Sequence, residues 1–471
     1  MKHKFSKSQV WILPLGSVLI LYGFFQLLLP YTLYHREQYS LFLMNELTVK
    51  QYFHQDAPLS RLVGDYLTQF YYYVGAGPFI LAVVLTALGM LTYAFFRNLK
   101  ANRWLSGFVA IVVVLWETGR ECIADYSLSS TLSIIGIAAL LLGIAKLCRK
   151  KWLGCIWVLI SLLFVSIHPI NKNGWGMPDQ DLEKMFAMDS EAYFGNWTRV
   201  LELTEKDEKN EIATYYHNLA LAMKGEMPNQ LMHYYQLFER GLFIPVNDKG
   251  NYFKFTAAGE VWFQMGATTL AEHASMLGMI FSPKQTGSRC LKRLAEINLL
   301  NGDSVAAQKY LRLLKQTPVH KKWALDRCNP QSPAYQELMK KGQLMANTDI
   351  IHGVSNYPAN LRNLLDSNAR NYLARDYLLC YDLLTKNLNA FVSDYTKYGA
   401  NVVNDLYAQA LLIASAIDPK QVESVEVSLP QQILADFRDY NQIMGGDMGT
   451  VQKKYGQTYW FYYQYAKRNE K

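Results

Sequence analysis

The sequence is short of charge, and its acids are scarce at the front. Only 18% of the 471 residues are charged against 51% hydrophobic, which excludes a disordered chain and a collagen-like one. Residues 1–169 hold 7 acids and 14 bases, whereas residues 170–471 hold 32 acids and 33 bases. The net charge of +8 therefore belongs to the first third and is no nucleic-acid footprint, so no nucleic-acid partner is expected. The six cysteines include no CxxC pair, which removes the zinc and thioredoxin-like motifs. There is no GxGxxG, no Walker lysine loop, no GxSxG and no HExxH, and His217, His233 and His273 have no second histidine four residues on. No cofactor and no metal are expected from such a text. Nor does any stretch alternate with period two for long enough to make a strand.

Long apolar runs are what the front does have. A bilayer span needs about 20 mostly apolar residues, and spans are expected near 10–33, 71–96, 104–122, 128–147 and 152–169. The third is the ambiguous one, since its apolar core covers only 104–116. Charge favours counting it. With five spans and a cytoplasmic N-terminus, the inside segments 1–9, 97–103 and 146–151 carry ten bases and no acid. The outside loops 35–70 and 117–127 then carry four bases and seven acids, the positive-inside asymmetry. A transmembrane domain over 1–170 follows, with membrane lipids as its surroundings and everything after it outside the cytoplasm. In that oxidising compartment two of Cys290, Cys328 and Cys380 are expected to pair.

Past a turn-rich linker at 171–178 the text changes. Residues 179–471 carry apolar positions at three- and four-residue spacing, broken by Gly, Asn-Gly or Pro, and helices are expected throughout, among them 227–239, 387–397 and 449–466. A loose repeat is visible. Gly259, Trp262, Gly266 and Ala271 fall at the offsets of the tetratricopeptide pattern, and Leu294, Ala295, Gly302 and Ala307 repeat them. A third copy surrounds Gly225, and a fourth near 377–395 lacks the glycine. Small residues in such a pattern let two helices approach, and large ones fill the gap to the next pair. The expected fold is all-α, a transmembrane helical bundle followed by a tetratricopeptide-like α-solenoid.

Three stretches, DYLTQFYYYVGAGPFILAVVL (65–85), YYHNLALAMKGEMPNQLMHYYQ (215–236) and LKRLAEINLLNG (291–302), carry a resemblance. The chain resembles a family of uncharacterised bacterial, Bacteroidetes-type membrane proteins with a multi-spanning N-terminal region and a tetratricopeptide-like tail. The resemblance covers most of the chain and implies an architecture and a Gram-negative inner membrane with a periplasmic tail. It implies no catalytic residue.

Four acids stand out as candidates for chemistry. Glu117 and Glu121 share a helical face with Arg120 directly after the third span, where the blander reading is an ion-paired interfacial cap. Asp56 and Asp65 sit in the first outside loop with Glu46 and His54, where membrane enzymes acting on lipid-linked glycans place acids. Single acids nine residues apart are more commonly solvated loop residues. Tyrosines cluster at 71–73, 215–216, 234–235 and 459–465, to fill helix gaps or to bind peptides. The function expected is a membrane-anchored scaffold that binds a protein or peptide partner in the cell envelope. The rival is a membrane enzyme or carrier for a lipid-linked glycan.

Overall fold

The structure, a computed structural model, describes residues 9–148, 176–205, 210–246, 250–283, 285–345, 351–399, 402–423, 425 and 429–467. Among the described residues all regular structure is helical, with no strand. The chain divides into two compact units. Unit 1 comprises Met1–Phe186, Ser282–Lys292 and Lys309–Cys328; unit 2 comprises Ala187–Phe281, Arg293–Gln308 and Asn329–Lys471. Unit 1 thus takes in two stretches that the sequence reading places in the repeat region.

Unit 1 is built on α1 (Gln9–Leu28), α2 (Pro30–Gln38), α3 (Glu46–Tyr52), α4 (Pro58–Thr68), α5 (Ala76–Asn98), α6 (Arg103–Glu121) and α7 (Leu128–Cys148). α5 is central and packs against α1, α6 and α7. Leu81, Leu85, Phe25 and Leu33 fill one core, and Leu88, Phe95, Ala138 and Ala145 a second further along α5. α1 and α2 meet at a bend of 77°. Pro30 makes the break, because it lacks an N–H for the previous turn and its ring clashes with a preceding carbonyl.

The expectation of five spans is corrected. Two described helices, α5 and α7, are long and apolar enough to cross a membrane, or three if the bent pair α1–α2 counts as one. The run at 10–33 is broken at Pro30. α6 is too charged, because each of its 18-residue windows holds three of Arg103, Glu117, Arg120 and Glu121. The fifth span, near 152–169, lies outside the described residues, as does most of the linker at 171–178. The first outside loop is also more ordered than a loop: residues 46–52 and 58–68 are α3 and α4.

Unit 2 contains α9 (Trp197–Thr204), which follows α8 (Gln180–Tyr193), then α10 (Glu211–Met223), α11 (Tyr252–Gln264) and α12 (Thr268–Ile280). α13 (Ser288–Leu300) and α14 (Ser304–Lys315) belong partly to it. α15 (Tyr357–Ser367), α16 (Tyr372–Leu384), α17 (Leu388–Asp394) and α18 (Asp405–Ile417) complete its middle. Helices pack as neighbours in sequence: α9 with α10, α11 with α12, α15 with α16.

These pairs do not amount to a regular solenoid, and that part of the expected fold is corrected to an all-helical one. Two features break the regularity. The glycines that close first helices, at 195, 225, 266 and 302, are spaced by 30, 41 and 36 residues. The helix expected over 227–239 shrinks to Met227–Gln230 and a short 3-10 turn, because Tyr234 is extended. Residues 449–466 likewise split into Met448–Tyr455 and Tyr459–Tyr465, with Thr458 capping the second piece.

Candidate functional site

The acids of α6 are spoken for inside unit 1. α2 and α6 place Arg36 Nη1 2.7 Å from Glu121 Oε2, with both side chains buried. Arg36 Nη2 donates to the carbonyls of Glu121 and Ile123, and Nε to that of Ala124. A guanidinium thus closes the C-terminus of α6, where unpaired carbonyls and the helix dipole favour a cation. The Thr131 hydroxyl of α7 lies 2.8 Å from Glu117 and 2.7 Å from Glu121 and bridges them. Tyr126 donates to Glu117 at 2.6 Å, and Arg120 pairs with it at 3.3 Å. This is an ion-paired cap, buried inside unit 1.

A second buried cluster went unread in the sequence. Glu37 Oε1 stands 2.6 Å from His320 Nε2, neither side chain having any exposure. Burial and the nearby Lys292 hold His320 below its ordinary pKa in spite of Glu37, so the neutral ring donates from Nε2. Arg289 Nη1 donates to Gln38 Oε1 at 3.2 Å, and Lys292 Nζ sits 4.5 Å from the Tyr72 ring centre. Glu183 accepts from the backbone N–H groups of Tyr31 and Thr32, capping the start of α2. A signal was present: His35-Arg36-Glu37-Gln38 follows an apolar run at once, and all four are buried.

Asp56 and Asp65 are brought together, on the other side of α4. They line one cleft of about 880 Å3 between the α3–α4 connection, α4 and the first half of α7. Asp56 is exposed. Asp65 accepts from the Tyr52 hydroxyl at 2.6 Å. Arg61 and a set of serines from α7 share the lining. α4 fits closely because Gly64 faces the Ser129 backbone, at a distance where any Cβ would collide. Glu117 and Glu121 are not in this cleft, so the four acids form two places rather than one.

Most residues of the repeat pattern lie in the unit 2 interior, while Gly225 and Gly302 are exposed at its turns. A Cβ on Gly259 would stand 3.1 Å from that of Ala274, so α11 and α12 cross closely there. Ala271, Leu294, Ala295 and Ala307 have no exposure, and Trp262 stacks on Phe243 at 5.0 Å. Gly225, Gly266 and Gly302 take φ of +73°, +76° and +74° at the ends of α10, α11 and α13. The same left-handed turn recurs at Gly195 after α8 and at Lys386 after α16. In four of the five, the following N–H reaches back five residues, as in Ala267 to Trp262 and Asn387 to Asp382. The Gly195 copy was missed in the sequence, and Lys386 explains how the fourth copy manages without glycine.

The remaining candidates are structural. Tyr215, Tyr216 and Tyr459 are fully buried, whereas Tyr73 and Tyr235 are exposed. Burial pushes His217 down to about 4, and its ring stacks on Tyr234 at 3.9 Å. Cys290, Cys328 and Cys380 form no disulfide with one another, which corrects the expected pairing of two of them: Cys290 is buried in unit 1, Cys380 in unit 2, and Cys328 is exposed. Among the described residues no group of three His, Cys, Asp or Glu side chains is placed to hold a metal.

Residues 4–171 and 158–466 match a family described as a family of unknown function, DUF6057. The chain belongs to DUF6057. Nothing among curated proteins or solved structures matches it. What can be said of this DUF6057 member's chemistry therefore comes from its own side chains. Of its four candidate acids, Glu117 and Glu121 are paired inside unit 1, and Asp56 and Asp65 line the α4–α7 cleft.

Proposed function

We propose that the protein is a membrane-anchored helical-repeat scaffold that binds a protein or peptide partner in a bacterial cell envelope. The observation that carries this reading is the left-handed turn that follows α8, α10, α11, α13 and α16 in turn, at 195, 225, 266, 302 and 386. A recurring helix–turn–helix unit is how repeat proteins build a binding surface without a catalytic centre. The anchoring part rests on α5 and α7, and on α6, which exposes Trp104, Phe108, Ile111 and Leu115 at three- and four-residue steps. That stripe supports α6 as a lipid-facing helix sealed at its end by Arg36, beside the two apolar helices α5 and α7, with the tail in the periplasm. Segments 1–9, 97–103 and 146–151, which carry ten bases and no acid, suit a cytoplasmic N-terminus.

The rival reading, an enzyme or carrier for a lipid-linked glycan, is favoured by one observation, the meeting of Asp56 and Asp65 in a single cleft. The two separate by experiment on the full-length chain in cells. A photo-crosslinking residue at exposed Tyr235 or Tyr372 is expected to trap one recurrent envelope protein, while alanine at Asp56, Asp65, Glu117 or Glu121 leaves any phenotype of the well-expressed protein as wild type. Loss of the phenotype in Asp56→Ala or Asp65→Ala at normal abundance, with no adduct, overturns the scaffold.

A further inference from the structure

The cleft between α4 and α7 changes character along its length. Ser129, Ser133, Gly136 and Leu140 succeed one another at steps of four, three and four residues, with Ile137 beside Gly136, so they form one face of α7. That face is hydroxylic at the start of the helix and apolar beyond it. The charged residues of the lining are Asp56, Arg61 and Asp65, and Gly64, beside Asp65, sets α4 against Ser129 at the hydroxylic end. Arg61 gives one N–H to Gln55 Oε1 at 3.2 Å, which leaves most of its five donors for another acceptor. The Ser127 and Ser129 hydroxyls bond each other at 2.7 Å at the mouth.

We infer that this cleft is a binding site for a zwitterionic aminophospholipid, one whose headgroup carries a phosphate and a primary ammonium. Both signs of charge line the one cleft, as such a headgroup requires: Arg61 and the serines for the phosphate, Asp56 and Asp65 for the ammonium. A purely anionic headgroup would face two carboxylates, and a choline headgroup has no N–H to give them. The apolar end names the source as a lipid rather than a soluble phosphoamine. From Ser133 to Leu140 the helix rises about 10 Å, which is roughly two-thirds of the hydrocarbon depth of one leaflet. An acyl chain can lie along Gly136, where the absent side chain leaves the groove open. The volume of about 880 Å3 is that of a small-molecule site, enough for headgroup, glycerol and the first part of a chain. The inference rests on α7 crossing the bilayer, as in the proposed function, and goes beyond it, since a scaffold needs no lipid preference.

The test uses the full-length protein in nanodiscs of phosphatidylethanolamine, phosphatidylglycerol and phosphatidylcholine in equal parts, with native mass spectrometry of the lipids retained. Phosphatidylethanolamine is expected to be held about tenfold over either competitor, the factor that one charge-assisted contact supplies. Gly136→Phe fills the apolar end, and its Cβ meets nothing within 4 Å, so it obstructs the groove without disturbing the helix. Arg61→Gln and Asp56→Asn alter the charged end at exposed positions. Each is expected to lower retention of phosphatidylethanolamine by about tenfold. Equal retention of the three lipids, a preference for phosphatidylglycerol, or retention unmoved by all three variants overturns the site. Release of the chain from membranes by alkaline carbonate overturns instead the membrane placement that this site and the proposed function share.

Discussion

Units 1 and 2 both bury many polar groups, and they differ in how far they lean on charge or on tyrosine, though unit 2 also buries Arg293 against Glu260. Unit 1 uses charge: Arg36 with Glu121, Arg120 with Glu117, and Glu37 with a neutral His320. Much of unit 2 uses tyrosine. Tyr215 donates to the Ala257 carbonyl at 2.7 Å, Tyr459 to Leu383 at 3.0 Å, and Tyr462 to Leu384 at 2.8 Å. A tyrosine brings a large apolar ring and one hydroxyl, so it fills a gap between helices and satisfies a carbonyl at once. A charge brings no such packing and earns its place only where the opposing group is an open helix end or another charge. The difference teaches where each unit is fragile: unit 1 at a few paired atoms, unit 2 across many small contacts.

The sharpest way to break the comparison is at Glu121. Glu121→Ala leaves Arg36 buried with its carboxylate partner gone, and a loss of about 3–5 kcal/mol is expected. Arg36→Met with Glu121→Leu removes both charges and is expected to recover part of that, though the carbonyls at 121, 123 and 124 stay without their donor. Thermal unfolding of the detergent-solubilised full-length protein measures both. If the double variant is as unstable as the sum of its singles, the pair is not coupled and the contrast with unit 2 fails.

The same contrast decides what was legible in the sequence. Left-handed turns are local, written by a glycine and the helix before it, and three of five were found from Gly225, Gly266 and Gly302. Tyrosine as gap-filler is nearly as local, because paired tyrosines sit on amphipathic helices. The charged clusters of unit 1 are not local. Arg36 and Glu121 are 85 residues apart, and Glu37 and His320 are 283. No spacing rule reaches across such distances, so Glu121 was visible only as half of a pair and His320 not at all. The bend at Pro30 was overlooked for a different reason: an apolar run carries the same hydropathy whether the helix is straight or broken. The α4–α7 cleft combined both failures, since α4 was taken for loop and its partner serines lay inside a span.

One of the buried acids of unit 2, Asp382, sharpens the comparison. Burial, with the neighbouring Asp394, raises the carboxyl of Asp382 to about 8, while Arg362 pulls the other way. Arg362 is itself tied to Asp394 at 2.7 Å. The folded pKa lies above the unfolded one, so the stability tied to the protonated form is fully present below pH of about 4. It is lost progressively as pH rises towards 8. Asp382→Asn keeps the neutral shape and cannot ionise. It is expected to match wild type near pH 4.5 and to be more stable at pH 8 by about 1–3 kcal/mol, a range trimmed for relaxation around the charge. Melting followed by tryptophan fluorescence at both pH values checks this. A constant difference between the two would mean that Asp382 titrates normally.

The smallest effects are expected at the repeated turns, where they separate backbone conformation from packing. Gly225 and Gly266 have nearly the same φ, +73° and +76°, so an alanine meets the same left-handed penalty at both. Their surroundings differ. A Cβ at Gly225 meets nothing within 4 Å, whereas one at Gly266 stands 3.0 Å from the backbone carbonyl of Leu344 and the nitrogen of Met345. Those backbone atoms are held in turn by Asn371, which donates to the Met265 and Leu344 carbonyls at 2.8 and 2.9 Å, so they cannot give way cheaply. Gly225→Ala is therefore expected to cost about 1 kcal/mol, and Gly266→Ala about 2 kcal/mol. Equal losses in thermal unfolding would mean that the turn conformation alone fixes the glycine, and that Gly266 has no packing role beyond it. A larger loss at Gly225 would remove the turn as the common element of the helix pairs, because its open surroundings leave conformation as the only cost it can report.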